Sequence, residues 1–313
     1  MNRRRYIAYR LTWAGCAALL VTLVLFALAQ GIGDLSQAPQ TASNLPDVSN
    51  DFWSADDPLY VQYVDWVTGL LTLEWGTSIL FGEPVTGLLA DRAKFTAVYL
   101  VPAVVLGTAA STAFGYVAAH RRGQLSDGVI RSGTYLVLAV PNFVIAGAFA
   151  RCIERRAYEL DARTFVLDAG LTGEWNLVWL TAATLILGTH VWATQLRQVR
   201  AQSSEHLTSD FARLLHAKGL GPLGIARHVL RAAAVPLTSL FVAETVGVLL
   251  VSVFVIEAVL GIPGIGYVTW QAAAINDGPV VLASSFLFAL AVIAASVVED
   301  IAAVVLDPRL DDE

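Results

Sequence analysis

Charged residues are scarce in this chain of 313 residues: they make up only 15% of it, and lysine occurs only twice, as Lys94 and Lys218. Soluble domains average about 25% charged residues. Because 56% of the residues are hydrophobic, the composition indicates a protein whose solvent is lipid. The formal net charge of −6 argues against a nucleic-acid partner, which a basic surface attracts.

The sequence also lacks the motifs of common active sites. It contains no G-x-x-x-x-G-K-[ST] phosphate loop, no H-E-x-x-H zinc motif and no G-x-S-x-G nucleophile elbow. Its two cysteines, Cys16 and Cys152, are too few for a structural zinc site, and we expect no disulfide between them. We therefore predict no catalytic, cofactor or metal site, which disfavours a membrane-embedded enzyme.

What the sequence does contain is long apolar runs. A helix of about 20 residues crosses a hydrocarbon core about 30 Å thick, and six runs reach that length. They predict an all-α, polytopic membrane protein with six transmembrane helices. The first has a basic front but is too long for a signal-peptide core, so we expect an uncleaved helix. The runs are roughly 11–29, 95–119, 132–151, 176–195, 235–258 and 281–306.

Basic residues predict the orientation, because cytoplasmic loops carry an excess of Lys and Arg. With the N-terminus inside, fourteen of the 20 Lys and Arg residues lie in inner segments and six in outer ones. We therefore expect a multi-pass protein of the cell membrane with both termini in the cytoplasm. A basic group within 151–163 runs against this trend, although acidic residues are interleaved with it.

The runs suggest two parts. Residues 1–92 comprise the first transmembrane helix and a long outer segment, and residues 93–313 comprise a core with one long inner loop, 196–234. We expect short helices near the outer interface, where Trp53, Trp66 and Trp75 could act as anchors.

The inner loop 196–234 is too polar to cross a membrane but is clearly patterned. Ser209 and Asp210 can cap a short helix, and Gly219 can end it in the left-handed conformation. Gly221 and Pro222 then begin a second helix, with proline in its first turn. The pattern predicts a helix, a sharp turn and a helix.

The first of these two helices carries an apolar stripe. Phe211, Leu214 and Leu215 recur at helical spacing and predict one apolar face. Two interpretations fit this stripe equally well. It can dock into a groove on a soluble partner, or it can pack against the chain's own membrane helices.

The run Ser209–Leu220, followed by Arg227-His228-Val229-Leu230-Arg231 and Pro236, resembles the cytoplasmic "EAA" loop of ABC importer permeases. It is most similar to the dipeptide, oligopeptide and nickel class. That class typically reads D-Y-x-x-x-A-R-A-K-G-L and then R-H-A-L-R-N-A-x-x-P. Leu214 and Leu215 stand where the class usually has small residues.

Other stretches resemble the same class in the same order along nearly the whole chain. They are Trp75-Gly76-Thr77-Ser78 with Pro84-Val85 and Thr96; Ala139-Val140-Pro141-Asn142-Phe143; Glu257 with Pro263-Gly264-Ile265-Gly266; Asp277-Gly278-Pro279; and Asp307-Pro308-Arg309. Each motif alone is weak, but together they are specific.

The resemblance implies a type I ABC importer transmembrane fold. It also implies a permease subunit without catalytic activity that serves the uptake of dipeptides, oligopeptides or a related small solute. It implies a second permease subunit, two cytoplasmic ATP-binding subunits and an extracytoplasmic solute-binding protein, all beside membrane lipid. The ATPase-coupling residues it implies are Asp210, Phe211, Leu214, Leu215, Ala217, Lys218 and Gly219.

Two polar residues inside the predicted spans are candidates for the pathway. Glu244 in the fifth run should face protein or water, because a charge near the bilayer centre costs about 2.5–3.5 kcal/mol. It can line the pathway or form a helix–helix hydrogen bond, for instance to His190. Asn142, next to Pro141, can line the pathway or satisfy backbone groups that the proline frees.

A secondary transporter or channel that needs no ATP is the alternative function. Such proteins typically use ionisable groups at the membrane midplane and paired repeats with broken helices. Glu244 is the one such feature noted in the sequence, and no internal repeat is evident.

Overall fold

The computed structural model describes residues 3–32, 57–160, 170–247 and 251–306. Within these ranges the chain is mainly helical, and Thr77 and Pro84 form an isolated β-bridge. The helices are α1 (Arg3–Ile32), α2 (Leu59–Thr72), α3 (Val85–His120), α4 (Leu125–Ala139), α5 (Asn142–Leu160), α6 (Glu174–Thr208), α7 (Asp210–Ala217), α8 (Pro222–Ala232), α9 (Ala234–Gly247), α10 (Val253–Leu260), α11 (Ile265–Ala274) and α12 (Gly278–Leu306).

Four helices are each long and apolar enough to cross a membrane: α1, α3, α6 and α12. Three further pairs qualify only when each pair is taken together, and all are bent: α4 with α5 by 77°, α8 with α9 by 63°, and α10 with α11 by 81°. Four of the six predicted runs lie on the single long helices. The fifth run covers α9, residues 248–250, which lie outside the described residues, and most of α10.

The structure corrects the third predicted run, 132–151, which is two helices that meet at a bend. α4 ends at Ala139, and Val140 is extended, with φ −107° and ψ 117°. Pro141 explains the break, because proline disfavours the helical conformation in the residue before it and has no N–H to donate.

α3 and α6 are longer than predicted and form the central pair. α3 has 36 residues and α6 has 35, which is about 50 Å of helix each at 1.5 Å per residue. α6 therefore continues to Thr208, well into the inner loop predicted to begin at 196. Glycines allow the two helices to approach closely: a Cβ on Gly107 would lie 2.8 Å from the Gly188 carbonyl oxygen, and one on Gly115 would lie 2.7 Å from Val199 Cβ. Small residues at such spacing are typical of helix pairs in membranes.

α3 and α6 run in the same direction, because Tyr99, Ser111 and Arg122 contact Thr184, Gln195 and Ser204 in that order. α1 runs antiparallel to α12, and the molecule has two ends. One end holds α7, the start of α4, and the contact between the first residues of α1 and the last residues of α12. We call it the elbow end, after the bend that α7 and α8 form there. There the guanidinium of Arg10 pairs with the carboxyl of Asp300, to which Tyr6 also donates. At the opposite end, Gln30 donates to Gln62 at 2.9 Å. The first residues of α1 and the last of α12 therefore lie at the same end.

The opposite end is built around aromatic residues that do not face lipid. Trp66 is 2% exposed and Trp75 is 8% exposed. Trp66 stacks on Phe26 with ring centroids 6.0 Å apart, and Trp75 lies in the same cluster. The prediction that these two tryptophans anchor the chain at the interface is therefore wrong, because α2 packs them against α1 and α3. Trp53 lies outside the described residues.

Candidate functional site

The predicted helix–turn–helix forms as an elbow, which we define as α7, the turn Lys218–Gly221 and α8. α7 ends in a hydrogen-bonded turn: the Gly219 N–H donates to the His216 carbonyl at 2.9 Å, and the Leu220 N–H donates to the Leu215 carbonyl at 3.3 Å. Gly219 has φ +75°, so this is a Schellman motif with glycine in the left-handed position. The predicted roles of Gly219 and Pro222 in the backbone are confirmed.

The start of α7 differs from the prediction in one detail. Ser209 precedes α7 with extended φ and ψ, but its side chain makes no capping bond to the helix. Its hydroxyl donates instead to the His206 carbonyl at 2.6 Å, at the end of α6. Ser209 thus fastens the junction of the two helices, while Asp210 places a carboxylate in the first turn of α7, where the helix dipole favours it.

The apolar stripe on α7 is divided between two faces. Leu215 is 5% exposed and packs inward, whereas Phe211 is 38% exposed and Leu214 is 52% exposed. Packing against the chain's own helices therefore holds for Leu215, whereas Phe211 and Leu214 remain exposed, as docking on a partner would require. The remaining predicted residues, Asp210, Ala217, Lys218 and Gly219, are also exposed.

The buried side of the elbow is joined to the long helices. Leu215 lies in one cluster with Ile225 and Val229 of α8, and Tyr116 of α3 and Leu207 of α6 pack against it. Val229 is fully buried and Ile225 is 3% exposed. Because one apolar cluster holds α7, α8, α3 and α6, a displacement of α7 is expected to move the long helices with it.

An ion pair ties α4 to α6 at the same end. Arg200 donates to Asp127 through two nitrogens, at 2.8 and 2.9 Å, and Asp127 also accepts the Gly123 N–H at 3.1 Å. Asp127 is 3% exposed. A two-pronged, partly buried pair of this kind is directional, so it fixes the turn before α4 on α6.

The two pathway candidates lie elsewhere. Asn142, at the start of α5, is partly buried and donates to the Ser252 hydroxyl at 2.9 Å, just before α10. Its side chain therefore joins two interrupted spans. Glu244 lies in α9, but its side chain is outside what the structure describes.

A buried carboxyl group at the opposite end, which the sequence pattern does not reveal, is a centre of contacts. Glu257 is fully buried. One of its oxygens accepts from the hydroxyls of Thr96 at 2.6 Å and Tyr99 at 2.8 Å, and the other accepts from the Tyr267 N–H at 3.0 Å. A Cβ on Gly264 would overlap the Glu257 and Thr96 oxygens, so the backbone can approach only as glycine. Glu257 thus holds α10, α11 and α3 together.

Asp277 is a second buried carboxyl group at this end. It accepts from the Ser78 hydroxyl at 2.6 Å and the Leu80 N–H at 3.0 Å. Both Ser78 and Asp277 are fully buried. The contact joins the tight loop before α3 to the turn before α12, so it closes the opposite end of the bundle.

Both carboxyl groups lie in motifs noted in the sequence, but no local signal pairs them with their partners. Glu257 is 161 residues from Thr96, and Asp277 is 199 residues from Ser78. Periodicity reports only neighbours within one or two helical turns. A signal that could have found them is an acidic residue in an apolar stretch, which must be hydrogen-bonded when buried.

The sequence profile of the family described as "binding-protein-dependent transport system inner membrane component" matches residues 111–312. The match covers most of the chain. It extends over α4 to α12 and includes the whole elbow and both buried carboxyl groups.

Individual relatives match over nearly the full length. The dipeptide transport system permease protein DppB of Lactococcus lactis subsp. cremoris is 28% identical over 295 residues, covering 93% of this chain and 94% of that protein. The DppB protein of Bacillus subtilis is 28% identical over 311 residues, covering 98% and 97%. The metal-staphylopine import system permease protein CntB of Staphylococcus aureus is 26% identical over 272 residues, covering 87% and 84%.

Proposed function

This chain belongs to the family of binding-protein-dependent transport system inner membrane components, and we propose that it carries small peptides or a related small solute. It is a multi-pass membrane protein and a permease subunit of an ABC importer of the peptide class. A second permease subunit completes the pathway, two ATP-binding subunits supply the energy, and a solute-binding protein delivers the cargo. Hydrolysis of ATP takes place in those separate subunits.

The observation that carries the coupling proposal is the division of the α7 stripe. Phe211 and Leu214 remain exposed on a short helix whose other face is packed onto α3 and α6. An exposed apolar helix face fits a groove on a partner. The ATP-binding subunits therefore bind α7, and the elbow couples their conformational change to the membrane helices. Asp210, Ala217 and Lys218 border this contact, and Gly219 sets its angle.

The orientation follows from the same assignment. The elbow end faces the cytoplasm, because ATP is there and because basic residues concentrate in its loops. Both chain termini are then cytoplasmic, and the end that holds Glu257 and Asp277 faces outward. Residues 1–92 serve as a peripheral helix and outer segment, and 93–313 form the transporting core. Asn142 and Glu244 are proposed to lie along the pathway.

Reconstitution tests this function. The chain is co-expressed with the second permease subunit, the ATP-binding subunits and the solute-binding protein of its system, placed in proteoliposomes, and assayed for uptake of radiolabelled dialanine. We expect uptake with ATP and the binding protein together, and none with a non-hydrolysable ATP analogue. Uptake by this chain alone without ATP would instead support a secondary transporter or channel.

Substitutions at Gly219 test the turn of the elbow. A Cβ there meets no atom within 4 Å, so the cost of a side chain arises from the left-handed backbone, about 1–2 kcal/mol and more for a β-branched residue. We expect Gly219→Val to reduce ATP-driven uptake severely and Gly219→Asn, which tolerates this conformation, to retain most of it. Equal uptake by the two variants would show that the turn angle does not matter.

A further inference from the structure

One face of α5 carries two arginines that form no ion pair with any carboxylate among the described residues. Arg151 and Arg155 are four residues apart and exposed. They line a cavity of about 470 Å³ together with Val144, Gly147, Ala148 and Cys152. The ion pairs among the described residues involve other side chains. A cavity of this volume is in the range of small-molecule sites.

The cavity lies at the end opposite the elbow. Phe149, just before Arg151, packs edge-on against Trp179 near the start of α6, with ring centroids 5.6 Å apart. From Trp179, α6 runs about 44 Å to Thr208 at 1.5 Å per residue, where α7 follows. In the proposed orientation the two arginines therefore face outward.

Basic residues on the outer side run against the usual distribution of charge in membrane proteins. Two guanidinium groups on one helix face also repel each other. Both costs are offset when an anion binds between them, because guanidinium groups bind carboxylates through paired hydrogen bonds. Below the arginines, Val144, Gly147 and Ala148 present an apolar surface with little side-chain bulk.

We propose that Arg151 and Arg155 form an anion subsite at the outer mouth of the pathway, which takes the free carboxylate of the transported solute. This inference rests on the proposed function and narrows its substrate class. A peptide fits, because its α-carboxyl group has a pKa near 3.3–3.7 and is ionised at neutral pH. The apolar part of the cavity then accommodates the rest of a short peptide. Solutes without a free carboxylate are poor cargo.

Cys152 provides a reporter inside the cavity. The chain has only two cysteines, so Cys16→Ser leaves Cys152 as its single thiol. In the assembled complex, labelling of this chain by an anionic sulfonatoethyl methanethiosulfonate is compared with labelling by a cationic trimethylammonioethyl analogue. We expect the anionic reagent to be favoured, and Arg151→Gln/Arg155→Gln to lower the anionic-to-cationic rate ratio about tenfold. Dialanine should slow labelling, whereas its C-terminal amide should not.

Uptake supplies the second test. The ratio of dialanine uptake to uptake of its C-terminal amide is measured with the same binding protein, so that protein's own preference cancels between variants. We expect this ratio to fall about tenfold in Arg151→Gln/Arg155→Gln, as expected for lost hydrogen bonds to a charged group. Lys94→Gln is the matched control, since it removes an exposed cation at the same end but outside the cavity.

The outcomes separate this inference from the function on which it rests. If the wild-type complex shows ATP-driven dialanine uptake but the double variant keeps both ratios, the subsite is wrong and the function stands. If Cys152 is protected by anionic phospholipid and not by dialanine, the arginines bind lipid headgroups and the proposal is overturned. If the wild-type complex takes up neither dialanine nor its amide with ATP, the proposed peptide function itself fails.

Discussion

Phe211→Asp is expected to stop ATP-driven uptake while leaving a folded permease in the membrane. In the free subunit the new carboxylate faces water, because Phe211 is 38% exposed and lies outside the buried cluster of the elbow. Seated in a groove of the ATP-binding subunit, the same carboxylate would be buried without a partner, which costs about 3–5 kcal/mol, or more than a hundredfold in affinity. The measurements are co-purification of the ATP-binding subunits and uptake in proteoliposomes.

Two further variants show whether the effect belongs to the exposed face of α7. Leu125→Asp adds the same charge to a leucine that is 86% exposed at the elbow end but lies on α4, and it should keep both subunits and uptake. Leu215→Asp places the charge in the buried cluster and should lower the yield of folded permease. If Phe211→Asp retains its ATP-binding subunits and wild-type uptake, α7 is not the contact.

The elbow was predictable because its signals are local. A glycine that ends α7 and a proline that begins α8 act within the few residues around them, and the structure has both as expected. The division of the stripe was not predictable. Leu215 is buried because Tyr116 and Leu207, on α3 and α6, reach it, and helical spacing within α7 cannot report contacts from other helices.

The interruptions of the membrane helices show a second feature that the sequence alone does not predict. Pro141 separates α4 from α5, whereas α3 continues through Pro102. Proline removes one donor in either case, so the residue alone does not decide between a break and a continuous helix. In α3 the close packing on α6 through Gly107 and Gly115 favours one unbroken rod, and this packing is not visible in the sequence.

The positions of the rigid contacts suggest how the parts work together. At the elbow end, apolar packing and the Asp127–Arg200 pair fasten α7, α8 and α4 to the α3–α6 pair. At the opposite end, Glu257 fastens α10 and α11 to the same α3. Because both sets of contacts converge on one long helix pair, movement at the elbow is expected to reach the opposite end without a flexible segment between them. The Glu257 contacts should therefore be essential to the fold itself.

Glu257→Ala is expected to destabilise the permease strongly and to remove uptake through loss of folded protein. The change leaves the Thr96 and Tyr99 hydroxyls and the Tyr267 N–H without their acceptor in a fully buried site. Each unsatisfied buried donor costs about 1–3 kcal/mol. Thermal unfolding of the detergent-solubilised protein measures the effect, with Glu205→Ala, which removes an exposed carboxyl group of α6, as the control.

Two substitutions separate the hydrogen bonds from the packing. Glu257→Gln keeps one oxygen for the two hydroxyls but sets its NH₂ group against the Tyr267 N–H. We therefore expect a smaller loss of stability, about that of one unsatisfied donor.

Gly264→Ala leaves every donor in place but forces a Cβ into the Glu257 and Thr96 oxygens, so it should destabilise the protein severely. Gly128→Ala, where a Cβ meets no atom within 4 Å, should be neutral or stabilising. Were Glu257→Ala to unfold at the temperature of Glu205→Ala, the buried carboxyl group would not hold the opposite end together, and the link between α3 and α11 would depend on apolar packing alone.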